Sequence, residues 1–443
     1  MVAKAPTDEQ PGLRRSIGTT QLALYALGSM VGSGIYGLIG KAAGEAGSAV
    51  WLSFLIAMFA ALLTALSYAS LGSRYPRAGG AAYVTDRAFR IPVLSFTIGL
   101  ALVASGLTSI ATQSKIFAAI LADLTGLDLV SPTGIAIGFL LILSGIVFRG
   151  IRESMWVNVL CTLLEVSGIL LVIAAGFSYW GTVDYFETPA GKSETGVALV
   201  VLQASVLTFF AFIGFEDAIN VAEECKDPQR TIPRGLIIAT ASAALLYVGV
   251  SITAVSVLPW NELAAAPSPL TAVLQRAAPS IPTELMSFIA LFSVANTALV
   301  NYVTASRLIY GMSGQGLLPG FVGRVHVTRR TPHVAVAVIL ALLLLLVVAG
   351  DIADLAAATV LLLLVVFIAV NASLVVLKQR AGEPTGQFEI PIALPIAGIV
   401  VCAGLIITRV ASTDWRAPAL AGALIALILC LYAGLRMMPA KIR

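Results

Sequence analysis

Three stretches of this chain hold residues able to do chemistry in an apolar setting. The first is Leu27-Gly28-Ser29-Met30-Val31-Gly32-Ser33-Gly34-Ile35-Tyr36-Gly37, in the middle of the apolar segment 17–42. Glycine is the poorest helix former after proline, and several within about two turns oppose a continuous helix. Unwound backbone at membrane depth is tolerated only where it is buried in protein or lines a wet cavity. It also frees the amides that begin the second half-helix, which form an anion site. Two readings follow: a broken membrane helix whose amides hold a substrate carboxylate, or a small-residue face where Gly32, Gly34 and Gly37 admit a neighbouring helix. The second stretch is 207–219, where the adjacent acids Glu216 and Asp217 stand beside Gly214 deep in an apolar run. The third is Val157–Glu165, which ends on another acid. Acids at membrane depth are costly and serve an ion, a proton or a cationic group.

The whole chain must supply the membrane these residues need. It has 443 residues, 58% hydrophobic and 11% charged, with a mean hydropathy of +0.96. That composition defines a polytopic membrane protein and excludes a soluble enzyme. Four cysteines (Cys161, Cys225, Cys402, Cys430) lack CxxC spacing, and the histidines, His326 and His333, fall in a loop and at a helix start. Neither set suggests a metal site or a disulfide framework. No cofactor and no nucleic-acid partner is expected. The first apolar span is too long for a signal-peptide core and lacks a cleavage-type end, so it is expected to be retained.

Windows of about 20 apolar residues can each cross the hydrocarbon core. About twelve are present, at 17–42, 48–72, 91–122, 132–148, 157–180, 196–222, 235–258, 283–312, 333–350, 354–377, 391–410 and 417–437. Alternate connections carry about 20 of the 27 Lys and Arg residues, among them Arg14, Arg15, Arg74, Arg77, Arg149, Arg152, Lys226, Arg230, Arg324 and Arg329. The positive-inside rule makes that side cytoplasmic, with both termini inside. The opposite loops carry Asp123, Asp128, Asp184, Glu187, Asp351 and Asp354. A cytoplasmic loop begins at Arg74-Tyr75-Pro76-Arg77-Ala78-Gly79-Gly80 and is expected to continue as a short amphipathic piece to Phe89. The external, proline-rich loop Pro259–Pro282 is expected to carry a short helix over the vestibule.

Breaks at corresponding positions in two halves are the sequence pointer to an inverted-repeat transporter site. The segment Phe209–Gly235 closely resembles the amino acid–polyamine–organocation superfamily. It contains Gly214-Phe215-Glu216, Ala222-Glu223-Glu224, Lys226-Asp227-Pro228-Gln229-Arg230 and Thr231-Ile232-Pro233-Arg234. So do Gly32-Ser33-Gly34-Ile35-Tyr36, Tyr75–Gly80, Gly150-Ile151-Arg152-Glu153-Ser154, and Ser306-Arg307-Leu308-Ile309-Tyr310 leading to Gly316-Leu317-Leu318-Pro319. These matches run in family order over roughly 15–335, and bacterial amino acid permeases and the cationic amino acid transporter branch look closest.

The resemblance implies an all-α integral membrane protein with a five-plus-five inverted repeat of the LeuT type and broken helices 1 and 6. Its parts would be a cytoplasmic tail 1–16, a first repeat 17–180, a second repeat 195–377, peripheral helices 391–437 and a cytoplasmic tail 438–443. It implies a substrate carboxylate on the amides of Val31, Gly32, Ser33 and Gly34. The substrate amine would meet carbonyls near Phe210, Ala211 and Ile213, with Met30, Phe210 and Phe215 around the side chain. The physics agrees: amides flanking one break favour the anion, and freed carbonyls at the other favour the ammonium. As packing residues, Phe209, Phe210, Phe212 and Phe215 would instead fill helix interfaces.

Glu165 departs from the pattern, since some relatives carry a buried lysine in this region. Three roles stay open. Glu165 carries the proton; or it helps hold sodium with Asn296, Thr297 and carbonyls of the first span; or it is structural. Glu216 and Asp217 are further coupling candidates. Lys115 reads as a snorkelling side chain or a candidate gate. Arg307 reads as an interfacial anchor, and Glu223, Glu224 and Asp227 with Lys226, Arg230 and Arg234 as a solvated network.

The function expected is secondary active transport of an amino acid across the cell membrane, coupled to protons or, second, to sodium, by a monomer or homodimer in contact with lipid. A polyamine or organic-amine carrier is the alternative; it suits the acids but leaves the Gly32-Ser33-Gly34 anion site without a carboxylate. No Walker-type GxxxxGK[ST] is present, so energy comes from a gradient or exchange. A membrane-embedded enzyme lacks a nucleophile or metal constellation at depth.

Overall fold

The computed structural model describes residues 13–125, 131–189, 197–266, 268–349, 353–410 and 416–437. Most of the two expected tails, together with Asp128 and Asp351, therefore lies outside the described residues. Among those described the regular structure is helical, and a single parallel bridge joins Ile17 to Cys225.

The first apolar segment is two helices, α1 (Thr19–Met30) and α2 (Ser33–Ala46), parted at Val31 and Gly32. Then come α3 (Val50–Arg74), α4 (Gly80–Phe89), α5 (Pro92–Thr125), α6 (Pro132–Arg149) and α7 (Ile151–Gly176). The α4 helix is the short piece expected before Phe89, and it starts after Gly79 at φ 95°, a left-handed turn that favours glycine. Pro132 and Ser131 start α6 in the usual way, the Ser131 hydroxyl accepting from the Gly134 amide at 3.2 Å.

The second break follows α8 (Val197–Phe209): a 3-10 turn at Phe210–Phe212, non-helical backbone to Glu216, then the single turn α9 (Asp217–Asn220). Next are α10 (Pro228–Val257), α11 (Trp260–Ala265) and α12 (Pro269–Ala277), so the loop Pro259–Pro282 carries two short helices where one was expected. The last are α13 (Thr283–Gly314), α14 (His333–Ala349), α15 (Ala353–Gln379), α16 (Ala393–Val410) and α17 (Arg416–Met437). Among the described residues, seven helical stretches are long and apolar enough to cross a membrane, and four shorter apolar helices join them.

Small residues set the helix spacing. Gly235 of α10 lies against Leu22 of α1, and Gly168 of α7 against Ile289 of α13. Close backbone approach through small residues is how helices associate without a hydrophobic drive between them. The outer faces carry exposed Phe59, Ile142, Leu245, Leu345 and Val348, a surface that suits lipid rather than water. The polar residues turn inward, to the two breaks.

Candidate functional site

The two interruptions meet. Gly214, at φ 128°, sits so close to α1 that a Cβ there would lie 2.7 Å from the main-chain carbon of Ser29. Only glycine accepts both that conformation and that contact. The Ser29 hydroxyl donates to Asp217 Oδ2 at 2.5 Å, and the Gly214 amide donates to Glu216 Oε2 at 2.8 Å. Each acid is thus held by the break opposite or beside it. The Tyr247 hydroxyl of α10 lies 2.6 Å from the Met30 carbonyl and 2.9 Å from the Ala211 carbonyl, one from each break. Carbonyls freed by unwinding need such a donor in an apolar setting.

A cavity of about 130 Å³ opens beside this junction, several times the ~30 Å³ share of one liquid water. Its wall includes Ser29, Met30 and Gly32 from the first break, and Ile213, Gly214, Glu216 and Asp217 from the second. Two helical stripes complete it: Ser105, Gly106, Ser109 and Gln113 on α5, and Thr297, Asn301 and Thr304 on α13. Both stripes follow the three-and-four spacing of one helix face.

Of the residues expected at the site, Met30, Gly32, Ile213, Glu216, Asp217 and Thr297 line this cavity. Val31 is buried at the break but does not line it. Ser33 and Gly34 begin α2 and Phe210 opens the 3-10 turn, while their side chains lie outside the described residues. Phe215 turns away and packs its ring between Tyr68 and Phe367, centroids 5.8 and 5.4 Å off, so it is core rather than cavity wall. Lys115 is half-buried on α5, outside the cavity lining.

Asn296 and Glu165 belong to an adjoining layer. Asn158 donates to Asn296 Oδ1 at 2.8 Å, Asn296 donates to Thr162 Oγ1 at 3.0 Å, and Thr162 donates to the Leu24 carbonyl at 3.2 Å. Gly28 lets α1 press into this knot; a Cβ there would run into Thr162 and Asn296. One turn further along α7, Glu165 is completely buried, and neither carboxyl oxygen finds a hydrogen-bond partner. Its main-chain carbonyl accepts from the Tyr36 hydroxyl of α2 at 2.9 Å.

Below the cavity, toward the Arg-rich face, the structure corrects two expectations. Arg307 is not an interfacial anchor, and Glu224 is not part of a solvated network. Both are fully buried and paired, Nε and Nη2 of Arg307 each donating to a Glu224 oxygen at 3.1 Å. Nη1 of Arg307 donates to Ser306 Oγ at 2.9 Å. The chain ahead of α1 is joined to the Glu224 main chain: the amides of Ser16 and Ile17 donate to the Glu224 carbonyl, and the Lys226 amide donates to that of Ile17. This strap is thereby tied to the main chain on either side of Cys225. Glu223 accepts from the Ala78 amide at 3.0 Å, and among the described residues of the expected network Asp227 and Arg230 form the exposed pair, at 3.8 Å.

Sequence reasoning missed Tyr247, the α5 stripe and the paired state of Arg307. The stripes were readable as polar residues at helical spacing in apolar runs. Tyr247 and the ion pair left no local signal.

The amino acid permease family model matches residues 17–432. The chain is 28% identical to a branched-chain amino acid permease of Bacillus subtilis over 91% of this chain and 88% of that one. It is 28% identical to a methylthioribose transporter of the same species, over 88% and 87%. It is 29% identical to cationic amino acid transporter 4 of Mus musculus, covering 85% of this chain and 62% of that one. The chain belongs to the amino acid permease family. It is a multi-pass membrane protein and a transporter, not an enzyme.

Proposed function

We propose that this protein is a secondary active transporter that carries an amino acid across the cell membrane by alternating access, driven by protons. The observation that carries the proposal is the meeting of two interrupted helices at Ser29 and Gly214 beside a cavity lined by the acids Glu216 and Asp217. We count twelve spans, taking α1 with α2 as one and α8 with α9 as another, in two repeats of five, with α16 and α17 peripheral and both termini cytoplasmic. The substrate carboxylate sits on the amides from Val31 to Gly34, at the start of α2. The amine takes carbonyls of the second break; since Tyr247 lies within hydrogen-bond distance of Ala211, the amine either displaces that hydroxyl or uses Ile213. The family resemblance assigns Phe210 to the substrate side chain.

Glu165 is the proton carrier in this proposal. A buried carboxylate with no donor is very costly, so the acid holds its proton until its surroundings rearrange. Sodium is less well served, because both polar atoms of the Asn296 side chain are already engaged by Asn158 and Thr162. An organic-amine substrate is the second reading: Glu216 and Asp217 line the cavity, and no basic side chain does so among the described residues.

The test is uptake of labelled amino acids and amines into proteoliposomes under an imposed pH or sodium gradient. Amino acid uptake accelerated by an acid exterior and indifferent to sodium is expected. Uptake of amines alone favours the second reading, and uptake indifferent to both gradients overturns coupled transport.

A further inference from the structure

Five basic side chains from three separate parts of the chain converge on one groove of about 580 Å³ at the Arg-rich face. Arg14 comes from the strap ahead of α1, Arg149 and Arg152 from the α6–α7 junction, and His326 and Arg329 from the loop between α13 and α14. Charge sorting across a membrane puts bases on one side, but it does not require three distant stretches to meet. A single acid, Glu153, lines the groove against four guanidinium groups. Like charges held this closely repel, and an anion in the groove offsets that cost.

The side chains are posed rather than spent. The four arginines are exposed, and none forms an ion pair with an acid among the described residues. Arg329 is steadied over the Phe148 ring, 5.8 Å from its centroid, and reaches the Arg149 carbonyl at 3.5 Å. The Arg329 amide donates to His326 Nδ1 at 3.3 Å, which anchors the loop. Forked guanidinium groups match phosphate oxygens better than any other side chain does.

The groove shares Arg14 and Arg152 with a second cavity of about 380 Å³ that includes Arg15, Lys226 and Trp156. From Trp156 an exposed apolar stripe runs along α7 through Leu160, Leu163 and Leu170, each at least half exposed. Spacings of four, three and seven put them on one helix face. An indole at the boundary between a basic rim and an apolar face suits the membrane–water interface.

We propose that this groove binds an anionic phospholipid, with its phosphate on Arg149, Arg152 and Arg329 and its acyl chains on the Trp156–Leu170 stripe. Basic pockets between membrane helices recognise such headgroups. Because Arg14 and Arg15 directly precede the strap residues that hold Glu224, the lipid fastens that strap to α7 and to the α13–α14 loop. The site is independent of which substrate is carried.

The test uses the full-length protein in neutral detergent, titrated with phosphatidylglycerol, phosphatidylcholine or soluble glycerol phosphate, and read by native mass spectrometry and thermal melting. Phosphatidylglycerol should be retained and raise the melting temperature, while the other two should not. Combining Arg149→Gln, Arg152→Gln and Arg329→Gln should weaken that binding by tenfold or more, and Arg276→Gln, on α12, should leave it unchanged. Each exposed arginine replaced singly should weaken it by a smaller factor, which keeps the test informative if the triple variant fails to fold. Leu160→Ser with Leu163→Ser should weaken lipid binding several-fold. Unaltered phosphatidylglycerol binding in the arginine variants overturns the proposal. So does protection by glycerol phosphate equal to that by lipid, which would make the occupant a soluble anion, and so does equal binding of phosphatidylcholine.

Discussion

Glu165 and Glu224 are the same residue type and both are fully buried, yet the protein treats them in opposite ways. Glu224 is saturated: Arg307 binds both carboxyl oxygens, and its main-chain carbonyl accepts from Ser16 and Ile17. Glu165 has no hydrogen bond to either carboxyl oxygen, although Thr162, one turn before it on α7, joins the knot with Asn158 and Asn296. Satisfied buried groups build structure; an orphaned one calls for a functional explanation. Depth alone therefore does not tell a gate from a latch or a proton carrier. The partners do.

That contrast can be broken at either acid, and the largest effect on stability belongs to the paired one. Arg307→Ala leaves a buried carboxylate without its counter-charge and should destabilise the protein by about 3–5 kcal/mol, read from denaturation in detergent. Arg307→Met combined with Glu224→Leu should recover most of that loss, because removing both charges removes the desolvation cost as well. A double variant no more stable than Arg307→Ala would mean that the strap, not the charge, closes this end.

A third acid, at the surface, sharpens the comparison. Glu389, between α15 and α16, accepts from Arg74 and Lys378 at 2.7 Å each. Partial burial opposes ionisation, but the hydrogen bonds from Arg74 and Lys378 outweigh it and bring its pKa from 4.5 down to about 2. A folded-state value below the unfolded one stabilises the protein above about pH 4.5 and loses that stabilisation as pH falls toward about 2. Solvent screening limits the gain, so Glu389→Gln should cost about 1 kcal/mol at neutral pH. The gap between wild type and variant should close below about pH 4; a gap that stays constant down to pH 3 would show that charge plays no part.

The smallest effect on stability should fall at Glu165. Folding leaves its carboxyl desolvated with only the Asn296 side chain acting against that cost, so Glu165→Leu should leave the melting temperature unchanged or raise it. Uptake driven by an acid exterior should nevertheless fall to background. A variant that melts lower and still responds to the pH gradient would make Glu165 structural, and proton coupling would move to Glu216 or Asp217.

Much of the fold was legible because its signals are local. The glycines from Gly28 to Gly37 mark the first break, and the non-helical backbone indeed falls at Val31 and Gly32. Gly214 with two acids marks the second, whereas α10 begins at Pro228, ahead of the expected 235. Boundaries were less legible: α7 begins at Ile151, six residues before the expected 157, because Gly150 at φ 139° turns the chain directly into the helix. The candidate site was half legible. Met30, Gly32, Ile213, Glu216, Asp217 and Thr297 line one cavity, whereas Phe215 went to the core because Tyr68 and Phe367 complete a ring cluster around it.

Composition, apolar run lengths and helix-breaking residues were enough on their own to make this chain a bundle of membrane helices with two interruptions, since each acts within a turn or two of backbone. Which groups would face one another was decided only by packing. Tyr247 reaches the Met30 carbonyl across 217 residues, Ser29 reaches Asp217 across 188, and Arg307 reaches Glu224 across 83. Short-range backbone preference places an unwound turn, but the charge or bond that satisfies it arrives on another helix. Only the folded bundle brings that helix within hydrogen-bond reach.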